Sequence, residues 1–272
     1  MRDWLRQNLE EIYSGVNATI VDASNNIALS PSQWNPTLWS YVNELTRSAI
    51  MPIAGVLLVF CLTAEIYKMV IDKNSQHEPE VGDFIMLIVK TGLAVFVINK
   101  LFVILLGIFD IGAFAIGKAA DVVLTGTPSS PADIDAIMNQ LELLPSGQYF
   151  SIWMMSCLAD NVMWIFNIVI TVVIWGRMIE IYLYCSVAAI PAAALLSKDL
   201  DISKNFFKTI VALMLQGFLI MFCLGAYSVL INNFVYTDNP STAMTQILIY
   251  AALLIVTLFK SGGIAKSIMN SH

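Results

Sequence analysis

The side chains able to do chemistry in this chain are few, and most are charges set in or beside apolar stretches. Arg177 and Glu180 stand three apart, a spacing that puts two residues on one face of a helix, so each could neutralise the other where water is scarce. Glu65 and Lys68 repeat the spacing. Two readings fit both pairs: a polar lining of a path through a membrane, or boundary residues whose charged heads reach out to water. Lys90 and Lys100 are ten residues apart, about 15 Å along a helix, so they cannot share one headgroup layer. At depth, Lys100 would have to face a wet cavity or a subunit interface, because lipid penalises a central lysine by at least ~2.5 kcal/mol. A helix end at Asn99 would instead return it to water.

Catalytic patterns are missing. His77 sits with Glu78, Glu80 and Asp83 in a polar segment that reads as a solvated acidic loop rather than a metal site, and His272 is the other histidine. No phosphate loop or dinucleotide fingerprint occurs. Cys61, Cys185 and Cys223 lie inside apolar blocks, with Cys157 close to one and no CxxC spacing, so all four read as small packing residues. These features predict no enzyme, no cofactor and no metal.

The elements that must position the charges are membrane helices. Of the 272 residues, 58% are hydrophobic and 12% charged, against roughly a quarter charged in a soluble domain. Residues 209–237, 239–259, 48–64, 161–176 and 181–197 carry no Asp, Glu, Lys, Arg or His. Several of these blocks approach or exceed the ~20 residues that cross ~30 Å of hydrocarbon. They lack the alternation of a barrel strand and read as helices. The expected fold is all-α and polytopic, with about five spans.

Residues 1–45 read as an amphipathic helix with Leu5, Leu9, Ile12 and Val16 on one face, followed by a polar, turn-rich linker from residue 17. Trp34, Trp39 and Tyr41 resemble interfacial aromatics. No apolar core between a basic start and a cleavage site appears in the first 47 residues, so this segment reads as retained. Residues 46–118 hold spans one and two, the first bent at Pro52, the second one long helix through Asn99, since no proline breaks it. Residues 119–160 form an acidic loop in which Ser130, Pro131 and Asp133 start a short helix that Pro145 stops. Spans three to five fill 161–260, the last stopped by Gly262 and Gly263, and 261–272 form a tail. A six-span alternative makes Arg177–Glu180 a tight turn.

Basic residues mark cytoplasmic ends. Lys198, Lys204 and Lys208 place their segment inside, as Lys260 and Lys266 place the C-terminus. The loops at 119–160 and 232–242 have no Lys or Arg and belong outside. Five crossings then put the N-terminus outside.

The stretch WGRMIEIYLYCSVAAIPAAALLSKDLDISKNFFKTIVALMLQGFLIMF at 175–222, with MPIAGVLLVFCLTAEIYKMVI at 51–71, resembles the TrbL-like polytopic subunit of type IV secretion systems. This is the sixth VirB-type component, in the compact form of Gram-positive conjugative elements. The resemblance implies a multi-pass subunit of a bacterial plasma membrane that forms homo-oligomers. It implies work with an ATPase and other type IV secretion membrane subunits, on relaxase-bound single-stranded DNA. Lys198, Lys204 and Lys208 would then guide phosphates at a cytoplasmic mouth; topology-setting lysines touching anionic lipid explain them equally. The second functional reading is a small-solute transporter or permease subunit, although no repeated halves appear. The third is a structural membrane scaffold.

Overall fold

The computed structural model describes residues 2–72, 81–126, 146–196, 201–232 and 240–270. Every element described is helical: α1 (Arg2–Ile27), α2 (Pro31–Trp34), α3 (Pro36–Leu45), a π turn (Thr46–Ile50), α4 (Met51–Asp72), α5 (Val81–Asn99) and α6 (Leu101–Gly126), then α7 (Ser146–Val187), α8 (Ala189–Ala193), a 3-10 turn (Ala194–Leu196), α9 (Ile202–Asn232) and α10 (Pro240–Ile268).

Six of these helical stretches are long and apolar enough to cross a bilayer: Pro36–Ile71, Val81–Asn99, Leu101–Thr125, Trp153–Val187, Ile202–Leu230 and Leu248–Ile268. Their outward side chains are greasy. On α4 these include Val56 (73% exposed) and Phe60, and on α5 Phe84, Ile88 and Val89. Such a surface needs hydrocarbon rather than water, and helices are the form in which backbone amides satisfy themselves there.

The sixth stretch corrects the single long helix expected through Asn99. The backbone N–H of Lys100 donates to Phe96 and its carbonyl accepts from Ile104, each at 3.0 Å, so Lys100 ends one helix and begins the next. Asn99 and Lys100 are both exposed. Two adjacent polar side chains seeking water do here what a proline or glycine does elsewhere. The Arg177–Glu180 turn does not form, since α7 runs unbroken through both residues.

Other boundaries move as well. α1 continues helically through residues 17–27, where a turn-rich linker was expected; the side chains of Leu5, Leu9, Ile12 and Val16 fall outside the described ones. Helices enter the 119–160 loop from both ends, α6 to Gly126 and α7 from Ser146. The short helix expected after Pro131 lies outside the described residues. α10 passes through Gly262 and Gly263. A Cβ at Gly262 would meet the Gln216 amide at 3.1 Å, so this glycine permits close approach of α9 instead of stopping the helix. The left-handed residue that follows α10 is Asn270 (φ 49°).

The chain divides into two compact units. One comprises Met1–Leu29, Gly112–Arg177 and Leu215–Ala265. Its core includes Ile20, Ile27, Ile116, Phe166 and Tyr227, the last two with ring centroids 5.1 Å apart. The other comprises Ser30–Ile111, Met178–Met214 and Lys266–His272. Its core joins Leu101, Leu105 and Met178 to the small residues Cys185, Ala188, Ala189, Ala192 and Ala193. α4 packs on α8, where those small side chains let backbones approach. Trp34 and Trp39 pack against Tyr182, whose hydroxyl donates to the Pro31 carbonyl at 2.7 Å; Tyr41 stays exposed. A π turn stands just before Pro52, where the Met51 N–H reaches the Thr46 carbonyl five residues back. The Thr46 hydroxyl lies within hydrogen-bond distance of the carbonyls of both Val42 and Ser186. All four cysteines are free thiols, Cys61 and Cys185 buried.

Candidate functional site: polar groups of the spanning helices

α7 is apolar on most of its circumference but carries Ser156, Asp160, Asn167 and Arg177 along one side. α1 lies against that side. The Ser156 hydroxyl bonds the Asn8 side-chain oxygen at 2.6 Å, and the Asn8 amide donates to Asp160. Thr19 donates to Asn167, and Trp4 packs on Trp153 with centroids 6.1 Å apart. Arg177 Nη1 donates to the Ile27 carbonyl at 3.4 Å. Contacts rise together in both numberings, so the two helices run parallel from Trp4 beside Trp153 to Ile27 beside Arg177.

Arg177 is 4% exposed. Ile27 is the last residue of α1, where unpaired carbonyls carry the negative end of the helix dipole, so a cation is favoured there. Gly217 on α9 supplies the space: a Cβ at that position would stand 2.6 Å from both Arg177 Cζ and Ile116 Cδ1. The guanidinium thus occupies a notch that only a glycine leaves open.

Glu180, three residues on, does not answer Arg177. It accepts from Lys266 Nζ at 2.7 Å, with about a third of each side chain exposed. The expected mutual neutralisation therefore gives way to two separate solutions, a backbone carbonyl for the cation and a lysine of α10 for the carboxylate.

The remaining expected residues are dispersed. Glu65 is half-buried and Lys68 exposed on α4; Lys90 is half-buried on α5 and Lys100 exposed at the break. Lys204 is exposed in the first turn of α9, and Lys208 donates to the Asn270 carbonyl at 3.4 Å. Lys198 lies outside the described residues. Among the described residues no cluster of metal-ligating side chains occurs.

Sequence reasoning missed Asn8, Thr19, Ser156, Asp160, Asn167, Gly217 and Lys266. The signal for the α7 set was present in the steps 156, 160, 167, which share a face of an otherwise apolar helix. Nothing in the sequence named α1 as their partner.

A comparison with curated proteins finds no match. Residues 16–189 match the family model described as TrbL/VirB6 plasmid conjugal transfer like protein. The matched region contains the α7 polar face with Arg177 and Glu180, and ends before Lys204, Lys208 and Lys266. Polar pairing between helices, apolar outer surfaces and this match agree: the chain is a multi-pass membrane subunit of conjugal transfer and belongs to the TrbL/VirB6 family.

Proposed function

We propose that this chain helps move relaxase-bound single-stranded DNA across a bacterial plasma membrane, as a homo-oligomeric subunit beside the ATPase and other membrane subunits of a type IV secretion apparatus. The observation that carries the reading is the family match over residues 16–189. Charge distribution supports an orientation with the C-terminus and the segment of Lys198, Lys204 and Lys208 in the cytoplasm, and the acidic segment between α6 and α7 outside. Lys204 stands in the first turn of α9, where a cation opposes the helix dipole, so local helix stability does not call for it, and Lys208 follows one turn later. A polyanion would gain from both, since backbone phosphates dominate sequence-independent strand binding.

The test is crosslinking of DNA in transit to single reactive positions at 100 and 204 in a transfer-competent strain, with 177 as a buried control. Crosslinks at 204 are expected. Their absence at both exposed positions would favour a bracing scaffold outside the path. Deletion of the gene from its element is the broader check: normal transfer with lost solute uptake would replace the secretion reading with the permease one.

A further inference from the structure

α1 is too polar to be recognised as a span, yet its position is that of one. Its end at Ile27 touches Arg177, which packs on Gly217. Gly217 lies eight residues into the stretch from Thr209 that carries no Asp, Glu, Lys, Arg or His, or about 12 Å along α9. The end of α1 is therefore at hydrocarbon depth. From there α1 runs back beside α7 to Trp153, the residue at which that helix's spanning stretch begins.

One side of α1 is turned to the protein: Asn8, Ile20, Ala23, Ser24 and Ile27 are buried. The opposite side follows helical spacing through Gln7, Glu11, Ser14, Ala18, Asp22 and Asn25, all exposed. Lipid cannot cover such a face. Polar and charged side chains at bilayer depth turn toward one another or toward water. A second observation makes the same demand. Lys118 and Asp121 pair at 3.4 Å on α6 with side chains 66% and 68% exposed. They stand between Ile116, which abuts Gly217, and Val123, which abuts Gly225, so they too are at depth.

We propose that α1 is a further membrane-embedded helix, and that its face of Gln7, Glu11, Ser14, Asp22 and Asn25 borders a water-filled space within the membrane assembly. Water along α1 does not depend on the identity of the cargo.

The test places single nitroxide labels on the full-length chain in bilayers, at Ala18, Asp22 and Asn25 on α1 and at Ile168 and Val172 on the exposed apolar side of α7 at the same level. Cys61 and Cys185 are replaced by alanine and Cys157 and Cys223 by serine. A ketone-bearing residue labelled with a hydroxylamine nitroxide repeats the measurement with the native cysteines in place. Collision with a water-soluble nickel chelate is expected to exceed collision with oxygen at the α1 positions, and the order to reverse at 168 and 172. Nickel access at 168 and 172 as well would put both helices outside the bilayer and overturn the proposal. So would oxygen-dominated or doubly excluded labels on α1, the signs of lipid and of a dry contact with another copy.

Discussion

Two neighbouring charges of α7, one in each compact unit, are held in opposite ways. In the unit containing α1, Arg177 is buried and met by a neutral carbonyl at a helix end, with a glycine cut to its outline. In the other unit, Glu180 meets Lys266, and both keep about a third of their side chains exposed. Only three residues of one helix separate Arg177 from Glu180. A shared helical face is thus no guarantee of a shared ion pair, because the neighbours that pack against each residue decide its partner. A buried cation depends on every atom around it, since an unmatched charge in an apolar setting is costly. A half-exposed pair has water in reserve.

The sharpest way to break this contrast is Gly217→Val. The added carbons must displace the guanidinium and Ile116, and overpacking of this kind costs about 1–3 kcal/mol. A clear drop in detergent melting temperature is expected, and an unchanged one would mean that the notch is not tight. Asn8→Leu comes next. It removes contacts to Ser156 and to Asp160, and a hydrogen bond to a charged group contributes about 1.5–3 kcal/mol. A double-mutant cycle with Ser156→Ala isolates the coupling; zero coupling would detach α1 from the polar side of α7.

On the other side of the contrast the effects shrink. Glu180→Gln or Lys266→Gln is expected to cost about 0.2–1 kcal/mol, decreasing with salt, and the paired exchange Glu180→Lys with Lys266→Glu should recover part of it. A loss as large as that of Gly217→Val would erase the distinction between the two sites. Smallest in stability is Lys204→Gln with Lys208→Gln, within about 0.5 kcal/mol because these are surface changes. Conjugation frequency is nevertheless expected to fall, and full transfer would remove both lysines from the proposed path.

The spans were legible because hydrocarbon imposes a long-range pattern on composition: the absence of charge over 209–232 alone announces α9. What the sequence hid was partnership across distance. Asp160 and Asn167 could be placed on one face of α7, but their partners Asn8 and Thr19 are about 150 positions away, in a segment whose polarity argued for water. The break at Asn99 and Lys100 was obscured because no proline marks it, and Gly262 misled because a glycine that admits a neighbouring side chain looks, in sequence, like one that ends a helix.

The widened turn at Thr46–Ile50 bears on how this protein tolerates changes of length. In a uniform α-helix, Ala54 would be rotated ~80° from Thr46, yet Val42, Thr46, Ala54 and Cys61 are all buried. A π turn is a one-residue insertion absorbed locally, and it turns the downstream helix back by nearly that angle. Losing one residue within 46–50 would therefore restore ordinary winding while keeping α4's lipid-facing side in phase. The same loss inside α4 would swing every later side chain of that helix by ~100°.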